Sequence, residues 1–360
     1  MPDSSALIAM SGGVDSSVAA YLMVQRGYTC MGATMRLYRN EDLGRSRFHT
    51  CCSQKDIDDA AEVAFRLDIP YEVVDFTFDF KEQIIGKFIR TYEAGGTPNP
   101  CIDCNRYMKF RKLLEYADRQ GLRYVVTGHY ARIVRENGRY LLKKALDGSK
   151  DQSYVLYDMT QAQLARTLFP MGELTKVQAR QIARDQGFLN AAKPDSQDIC
   201  FIPDGDYVKF MEQYTGKHYP PGPFLDPQDQ PVGTHRGAVA YTIGQRRGLG
   251  LAMGEPVYVY KKDMGTNTVW VGPNSCLYTK KLLADQLNWI AFDTFPGEMR
   301  LKAKTRYRQT EQWATARLLP EGLLELEFDE PQRAVTAGQA VVLYEGDTVL
   351  GGGTIRKAFD

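Results

Sequence analysis

The apolar run Ala6-Leu7-Ile8-Ala9-Met10 leads straight into Ser11-Gly12-Gly13-Val14-Asp15-Ser16-Ser17, and this junction constrains the fold more than any other stretch. Five apolar residues bounded by a glycine turn read as a buried strand, and the small residues after them open a helix. The first amides of a helix have no partner within it, so a strand–glycine–helix junction presents them to an anion such as an oligophosphate. The lysine-bearing G-x-x-x-x-G-K-[ST] loop of kinases and GTPases is absent from this position.

From residue 6 to about 205, strand-like and helical runs alternate. The helix opening at Val14 ends near Gly27, and Cys30 to Leu37 reads as the next strand. Ser53, with Asp56 three residues on, caps a helix that carries Ile57, Ala60, Ala61, Ala64 and Phe65 along one face. Tyr71 to Phe76 is a strand, and a helix through Tyr107, Phe110, Leu113, Leu114 and Ala117 leads to the strand Tyr124 to Thr127. Such alternation predicts parallel βαβ units in a doubly wound sheet, with the ligand crevice at the carboxyl ends of the strands. Asn137-Gly138 between short apolar runs marks a hairpin.

Past Pro220-Pro221-Gly222-Pro223 the pattern shifts to short alternating runs such as Val257 to Tyr260 and Thr268 to Val271. The fold class expected is therefore α/β followed by two small all-β domains, the last a β-barrel. The expected limits are 1–207 for the α/β domain with the anion-binding loop, 208–278 for a central β-rich domain and 279–360 for the barrel. At 360 residues with 43% hydrophobic content, core material is ample, and a net charge of +1 leaves any basic surface to be sought locally. No stretch of about 18 apolar residues occurs and the N-terminus lacks a basic, apolar leader, so a cytoplasmic location without membrane contact is expected.

Between Met299 and Gln309 every even position is basic: Arg300, Lys302, Lys304, Arg306 and Arg308. As one strand this places five cations on one face, about 6.6 Å apart, a row suited to nucleic-acid phosphates. Tyr307 and Trp313 are candidates for stacking on bases.

Seven cysteines in a chain of this kind argue for thiol chemistry or metal ligation rather than a disulfide framework. Asn99-Pro100-Cys101-Ile102-Asp103-Cys104-Asn105 stands at a helix start, where the positive helix end and nearby Arg106 and Lys109 favour a thiolate at Cys104. The same C-x-x-C spacing also fits half a metal site or a redox dithiol. Cys200 lies among polar residues at an element end, Cys51-Cys52 adjoin a charged loop, and Cys30 and Cys276 suggest no role.

The first loop resembles the S-G-G-x-D-S loop of the PP-loop ATP pyrophosphatases, of the adenine nucleotide alpha hydrolase-like class. With it come Thr97-Pro98-Asn99-Pro100, Cys104-Asn105, Thr127 to Arg132, Lys150 to Tyr154, Ser196 to Phe201 and Ile243 to Gly250. In this order, over nearly the whole chain, they resemble the tRNA-specific 2-thiouridylases, which replace O2 of the wobble uridine (U34) with sulfur. The resemblance implies that ATP with Mg2+ lies on Ala9, Met10, Ser11, Gly12, Gly13, Val14, Asp15 and Ser16, with Met35 and Gly128 near adenine and ribose. It implies adenylation of the uracil C2 oxygen, a persulfide on Cys200 and Cys104 as the nucleophile that frees the sulfur. Asn99, Pro100 and Cys101 would hold the flipped base, while His129, Lys150, Asp151, Gln152, Arg306, Tyr307 and Gln339 would contact tRNA. Partners so implied are lysine, glutamate and glutamine tRNAs and a persulfide-carrying sulfur-relay protein or cysteine desulfurase.

Many members of the family have aspartate where Cys101 stands. That change opens a second arrangement, an iron–sulfur cluster held by Cys101, Cys104 and Cys200 with one open iron. A PP-loop ligase of another substrate class and a non-catalytic RNA-binding protein with a residual nucleotide site complete the alternatives.

Overall fold

A computed structural model describes residues 4–39, 54–195, 199–202 and 204–359. The proposed Ser53 cap, Cys51, Cys52 and Ser196-Gln197-Asp198 lie outside the described residues.

Strands β1 (Ser5–Ala9), β2 (Thr29–Arg36), β3 (Tyr71–Asp75) and β4 (Tyr124–Val126) form a parallel sheet with a two-residue strand at Thr167–Leu168, in the order β3-β2-β1-β4-(167–168). Alternate residues of β1 feed opposite cores. Leu7 joins Ala33, Phe80, Phe88, Met108 and Val125 on one face, while Ala6 and Ile8 join Val18, Met23, Ala60 and Val126 on the other. Both faces are covered, as a parallel sheet requires. The chain runs from β1 to one side of the sheet and returns on the other, so the topological switch point lies between β1 and β4, where such folds bind ligands.

Phe201 ties the segment after the sheet into this core. Its ring packs edge-on against Phe80 and Phe88 at centroid separations of 5.6 and 5.3 Å. Phe201→Ala is expected to cost roughly 3–5 kcal/mol through the cavity it leaves, read as a shift in the urea midpoint. A loss below about 1 kcal/mol would mean the segment is not anchored there.

The hairpin predicted at Asn137-Gly138 forms, as β5 (Ala131–Glu136) and β6 (Arg139–Lys144), with Asn137 and Gly138 at φ 50° and 81°. Its partner was not legible: β6 pairs through Leu142 and Lys143 with the last strand of the protein. A central four-stranded sheet is built from Gly222–Leu225, Pro231–His235, Tyr258–Asp263 and Thr268–Gly272. The C-terminal strands Tyr278–Trp289, Glu298–Lys304, Gln312–Leu318, Leu324–Arg333, Ala340–Glu345 and Thr348–Phe359 close into a barrel, because the first of them also pairs with the last. Leu282, Leu301, Ala314, Leu326, Val341 and Ile355 fill its interior.

Candidate active site at the switch point

The phosphate loop is held by its own small side chains. Ser16 and Ser17 hydroxyls donate to the Gly13 carbonyl at 3.0 and 3.1 Å, and the Ser11 amide donates to Ser16 Oγ at 3.2 Å. These bonds close the turn before helix α1 (Val14–Gln25) while its first-turn amides remain the natural anion donors. Gly12 has φ +70°, and a Cβ there would lie 2.2 Å from the Asp56 carbonyl of helix α2 (Gln54–Arg66). Gly128, just past β4, is also tightly packed: a Cβ would meet Asp15 C and Ser16 N at 2.8 Å. The two loops expected to share ATP therefore touch.

A ring of charge surrounds the loop. Lys176 Nζ donates to both Asp15 oxygens at 2.7 and 2.8 Å and pairs with Asp195 at 2.7 Å, and the Tyr130 hydroxyl donates to Asp15 at 2.8 Å. Asp195 also takes Lys150 at 2.9 Å and Arg180 at 3.1 Å. Burial opposes ionisation of Asp195, but the Lys176 and Lys150 hydrogen bonds outweigh it and hold its carboxyl down at about 2. On the other side, Lys193 donates to the Gly12 carbonyl at 2.9 Å and to Asp56 and Asp59 at 2.5 and 2.6 Å. Asn190 donates to the same carbonyl and to Ser17, leaving its buried Oδ1 without a hydrogen-bond partner. Lys176, Arg180, Asn190 and Lys193 escaped the sequence reading; as single polar residues in and after a helix they carry no local signal.

The thiols stand on neighbouring elements. Residues 100–119 form one helical stretch in which Pro100 occupies the first turn, and a π-helical segment begins at Cys104. Such segments often mark functional positions. Cys104 and Cys200 are half-buried against the same apolar cluster, and Tyr38 donates to the Cys200 carbonyl at 2.9 Å. Cys101 is exposed and lies close enough to Tyr307, as does Asp151, to disfavour ionisation of that phenol, although burial is the larger cause. Cys30 is buried, and desolvation pushes its thiol up to about 11, a structural residue.

The cations expected to favour a Cys104 thiolate are engaged elsewhere. Arg106 pairs with Asp158 at 3.0 Å, and Lys109 lies 3.3 Å from His129 Nε2. Beside them, Lys87 pairs with Asp103 at 2.6 Å. Burial raises the Asp158 carboxyl to about 6, partly offset by Arg106. Its folded value lies above its unfolded one, so the folded state binds the extra proton and loses stability as pH rises from about 4 to 6. Urea unfolding across that range should show this slope, and Asp158→Asn should flatten it; an unchanged slope would remove Asp158 as its source.

Among residues expected to meet tRNA, several are wired into the protein. His129 is buried, with Thr127 Oγ1 at 2.6 Å from Nδ1, and burial, then Lys109, holds its imidazole well below its usual range. Asp151 accepts from Ser153 and Ala145, and Gln152 accepts from the Tyr130 amide at 2.9 Å. Gln339 donates to the carbonyls of Thr97 and Pro98 at 2.9 and 3.2 Å, which fastens the barrel to the loop before Asn99. Asn99 lines a cleft of about 400 Å³ with Ile102, Asp103, Tyr157 and Gln286, whereas Cys101 does not. Met35 packs at the end of β2 against the core.

The basic row is corrected. The strand ends at Lys304, because Thr305 turns to Gln309 through both its amide and hydroxyl, at 2.9 Å each, so Arg306 and Arg308 lie in the turn. Arg300 pairs with Asp329 and Lys304 with Glu311, and Arg300 and Lys302 both cover the Trp313 ring. Two of the three strand cations are thus paired with acids and the other two arginines lie off the strand, so the face does not form a free track of five cations. The three-thiolate cluster fares no better. Among the described residues no group of three Cys, His, Asp or Glu side chains is placed to hold a metal, since Cys101 is exposed while Cys104 and Cys200 pack on the core. Also among the described residues, no helix is long and apolar enough to cross a membrane.

Three family profiles match the chain: "tRNA methyl transferase HUP domain" over residues 4–204, "tRNA methyl transferase PRC-barrel domain" over 208–273 and "Aminomethyltransferase beta-barrel domain" over 279–355. A tRNA-specific 2-thiouridylase of Lachnoclostridium phytofermentans is 48% identical, covering 98% of this chain and 99% of its own. The corresponding protein of Acetivibrio thermocellus is 47% identical over 97% and 98%, and that of Moorella thermoacetica 48% identical over 98% and 99%. With a phosphate loop at its switch point, a thiol at the π-helical start and a match along nearly its whole length, the chain belongs to the tRNA-specific 2-thiouridylase family.

Proposed function

We propose that the protein thiolates the wobble uridine of tRNA at C2, using ATP. The observation that carries this reading is the contact of the phosphate loop with Gly128 at the switch point, beside a core that bears both Cys104 and Cys200. ATP lies along Ala9 to Ser16, its phosphates on the first-turn amides of α1 and its adenosine toward Met35 and Gly128. Magnesium bound with ATP would sit on the phosphate oxygens and would supply neutralising charge for the departing pyrophosphate; Asp15 is the loop carboxylate that could join it, in exchange for part of its hydrogen bonding to Lys176. Lys176, already at the loop, is placed to balance the same charge.

The uracil C2 oxygen attacks the α-phosphorus, pyrophosphate leaves, and the oxygen becomes part of an AMP leaving group. A relay protein or desulfurase loads Cys200 as a persulfide. Its terminal sulfur bonds to C2, Cys104 thiolate attacks Cys200 Sγ, and the S–S bond of the persulfide breaks. AMP departs, the sulfur stays on C2, and a Cys104–Cys200 disulfide remains for an external dithiol to reduce. Asn99, Pro100 and Cys101 are proposed to cradle the base, which must leave the anticodon stack to reach ATP.

The test is ATP-dependent thiolation of unmodified tRNA with a persulfide donor, following 2-thiouridine, AMP and pyrophosphate together. Equal amounts of all three support the reading. Pyrophosphate release that ignores tRNA, with no thiolated base, would reject it.

A further inference from the structure

The peptide between Gly12 and Gly13 is braced from outside the phosphate loop. Its carbonyl accepts from Lys193 Nζ at 2.9 Å and from Asn190 Nδ2 at 3.1 Å. No cis peptide bond occurs among the described residues, so the Gly12 C=O and the Gly13 N–H point in opposite directions. Holding the carbonyl toward Lys193 and Asn190 therefore turns the Gly13 amide away from them, and among the described residues that amide has no hydrogen-bond acceptor. A brace is needed because glycine on both sides leaves the peptide plane free to turn over.

Each donor is aimed at the carbonyl by its surroundings. Asn190 is 4% exposed. Its Nδ2 also donates to Ser17 Oγ at 2.9 Å, and Ser17 accepts there because its own proton goes to the Gly13 carbonyl at 3.1 Å. The reverse amide orientation would set Oδ1 against the Gly12 carbonyl, so Asn190 keeps both hydrogens on the loop and leaves Oδ1 without a hydrogen-bond partner. Lys193 is held by Asp56 and Asp59 at 2.5 and 2.6 Å. Burial opposes its charge, but those two carboxylates outweigh it and hold the ammonium above its usual range. One ammonium between two carboxylates is net negative, so this cluster repels a phosphate; Lys176, on the Asp15 side, is the lysine placed for phosphate charge.

We propose that Asn190 and Lys193 are positioning residues for the nucleotide: they lock the Gly12–Gly13 peptide so that the Gly13 N–H points at an ATP phosphate, and neither touches ATP itself. This rests on the ATP-dependent function proposed above. A donor already locked in place costs no ordering when the phosphate arrives. A peptide free to turn over would instead offer the phosphate its carbonyl oxygen for part of the time, an acceptor facing an anion.

The experiment is calorimetric titration of the full chain with a non-hydrolysable ATP analogue and, separately, with adenosine, on wild type, Asn190→Leu and Lys193→Met. Each substitution should weaken the ATP analogue by at least about tenfold, the scale of one hydrogen bond to a charged group, while adenosine affinity stays within about twofold. A merely structural role would weaken both ligands together, and that result overturns the proposal, as does wild-type ATP affinity in both folded variants. Loss confined to Lys193→Met would make the lysine a direct phosphate contact and overturns it too. Asp56→Asn combined with Asp59→Asn decides the sign whether or not Asn190→Leu folds. A loosened brace lowers ATP affinity, whereas a lysine released toward phosphate would raise it and overturn the proposal. In each of these cases the function stands; a wild-type protein that binds neither ligand overturns both.

Discussion

Cys104→Ser is expected to lower tRNA thiolation by at least about 10³-fold, the scale on which removal of an attacking group is felt. AMP and pyrophosphate formation on tRNA should persist for a first turnover, since the ATP loop and the thiols stand on different elements. Cys101→Ser should cost less than about fivefold, because Cys101 is exposed while Cys104 and Cys200 share one packed surface. Quantifying 2-thiouridine and AMP in the same samples separates the two steps. An equal loss in both variants would overturn Cys104 as the acting thiol and return Cys101 to the chemistry.

Gly12→Ala should weaken ATP binding by about 100-fold or more. The left-handed backbone at φ +70° costs an alanine roughly 1–2 kcal/mol. The added Cβ, 2.2 Å from the Asp56 carbonyl, must also drive the first turn of α2 away from the loop. That movement separates Asp56 and Asp59 from the Lys193 ammonium that grips the Gly12 carbonyl, so the whole cradle opens. Gly13→Ala is the control. Its φ is −91° and the nearest atom to a new Cβ is Ser11 Oγ at 3.5 Å, so binding should change little. Calorimetric titration with a non-hydrolysable ATP analogue measures both, and a Gly12→Ala variant with wild-type affinity would show that the loop is not the nucleotide site.

The sheet, the phosphate loop and the Asn137-Gly138 hairpin were legible because each is written within some dozen consecutive residues: an apolar period, a glycine at positive φ, a paired turn. The basic row shows where such reading ends. Its alternation was right as far as Lys304, with Leu301 and Ala303 buried, but the acids that pair with Arg300 and Lys304, Asp329 and Glu311, lie outside the row. Lys176, Asn190 and Lys193 reach Asp15 and Gly12 from more than 160 residues away, contacts that only the folded sheet creates. Cys104 was identifiable at a helix start, but the partners of the cations near it were not: Arg106 pairs with Asp158 and Lys109 lies beside His129.

The pairing of the hairpin with the final strand sets a timetable for synthesis. Lys143 meets Thr348, so β6 has no partner on that edge until another 205 residues (348 − 143) have been made. At ribosomal rates of 5–20 residues per second, the edge stays open for about 10–40 s. Open edges recruit other strands unless they are charged or covered. Arg139, Lys143 and Lys144 supply that protection on the nascent chain. In the finished protein the same lysines pair with Asp347 and Glu311 beside the strand that arrives last.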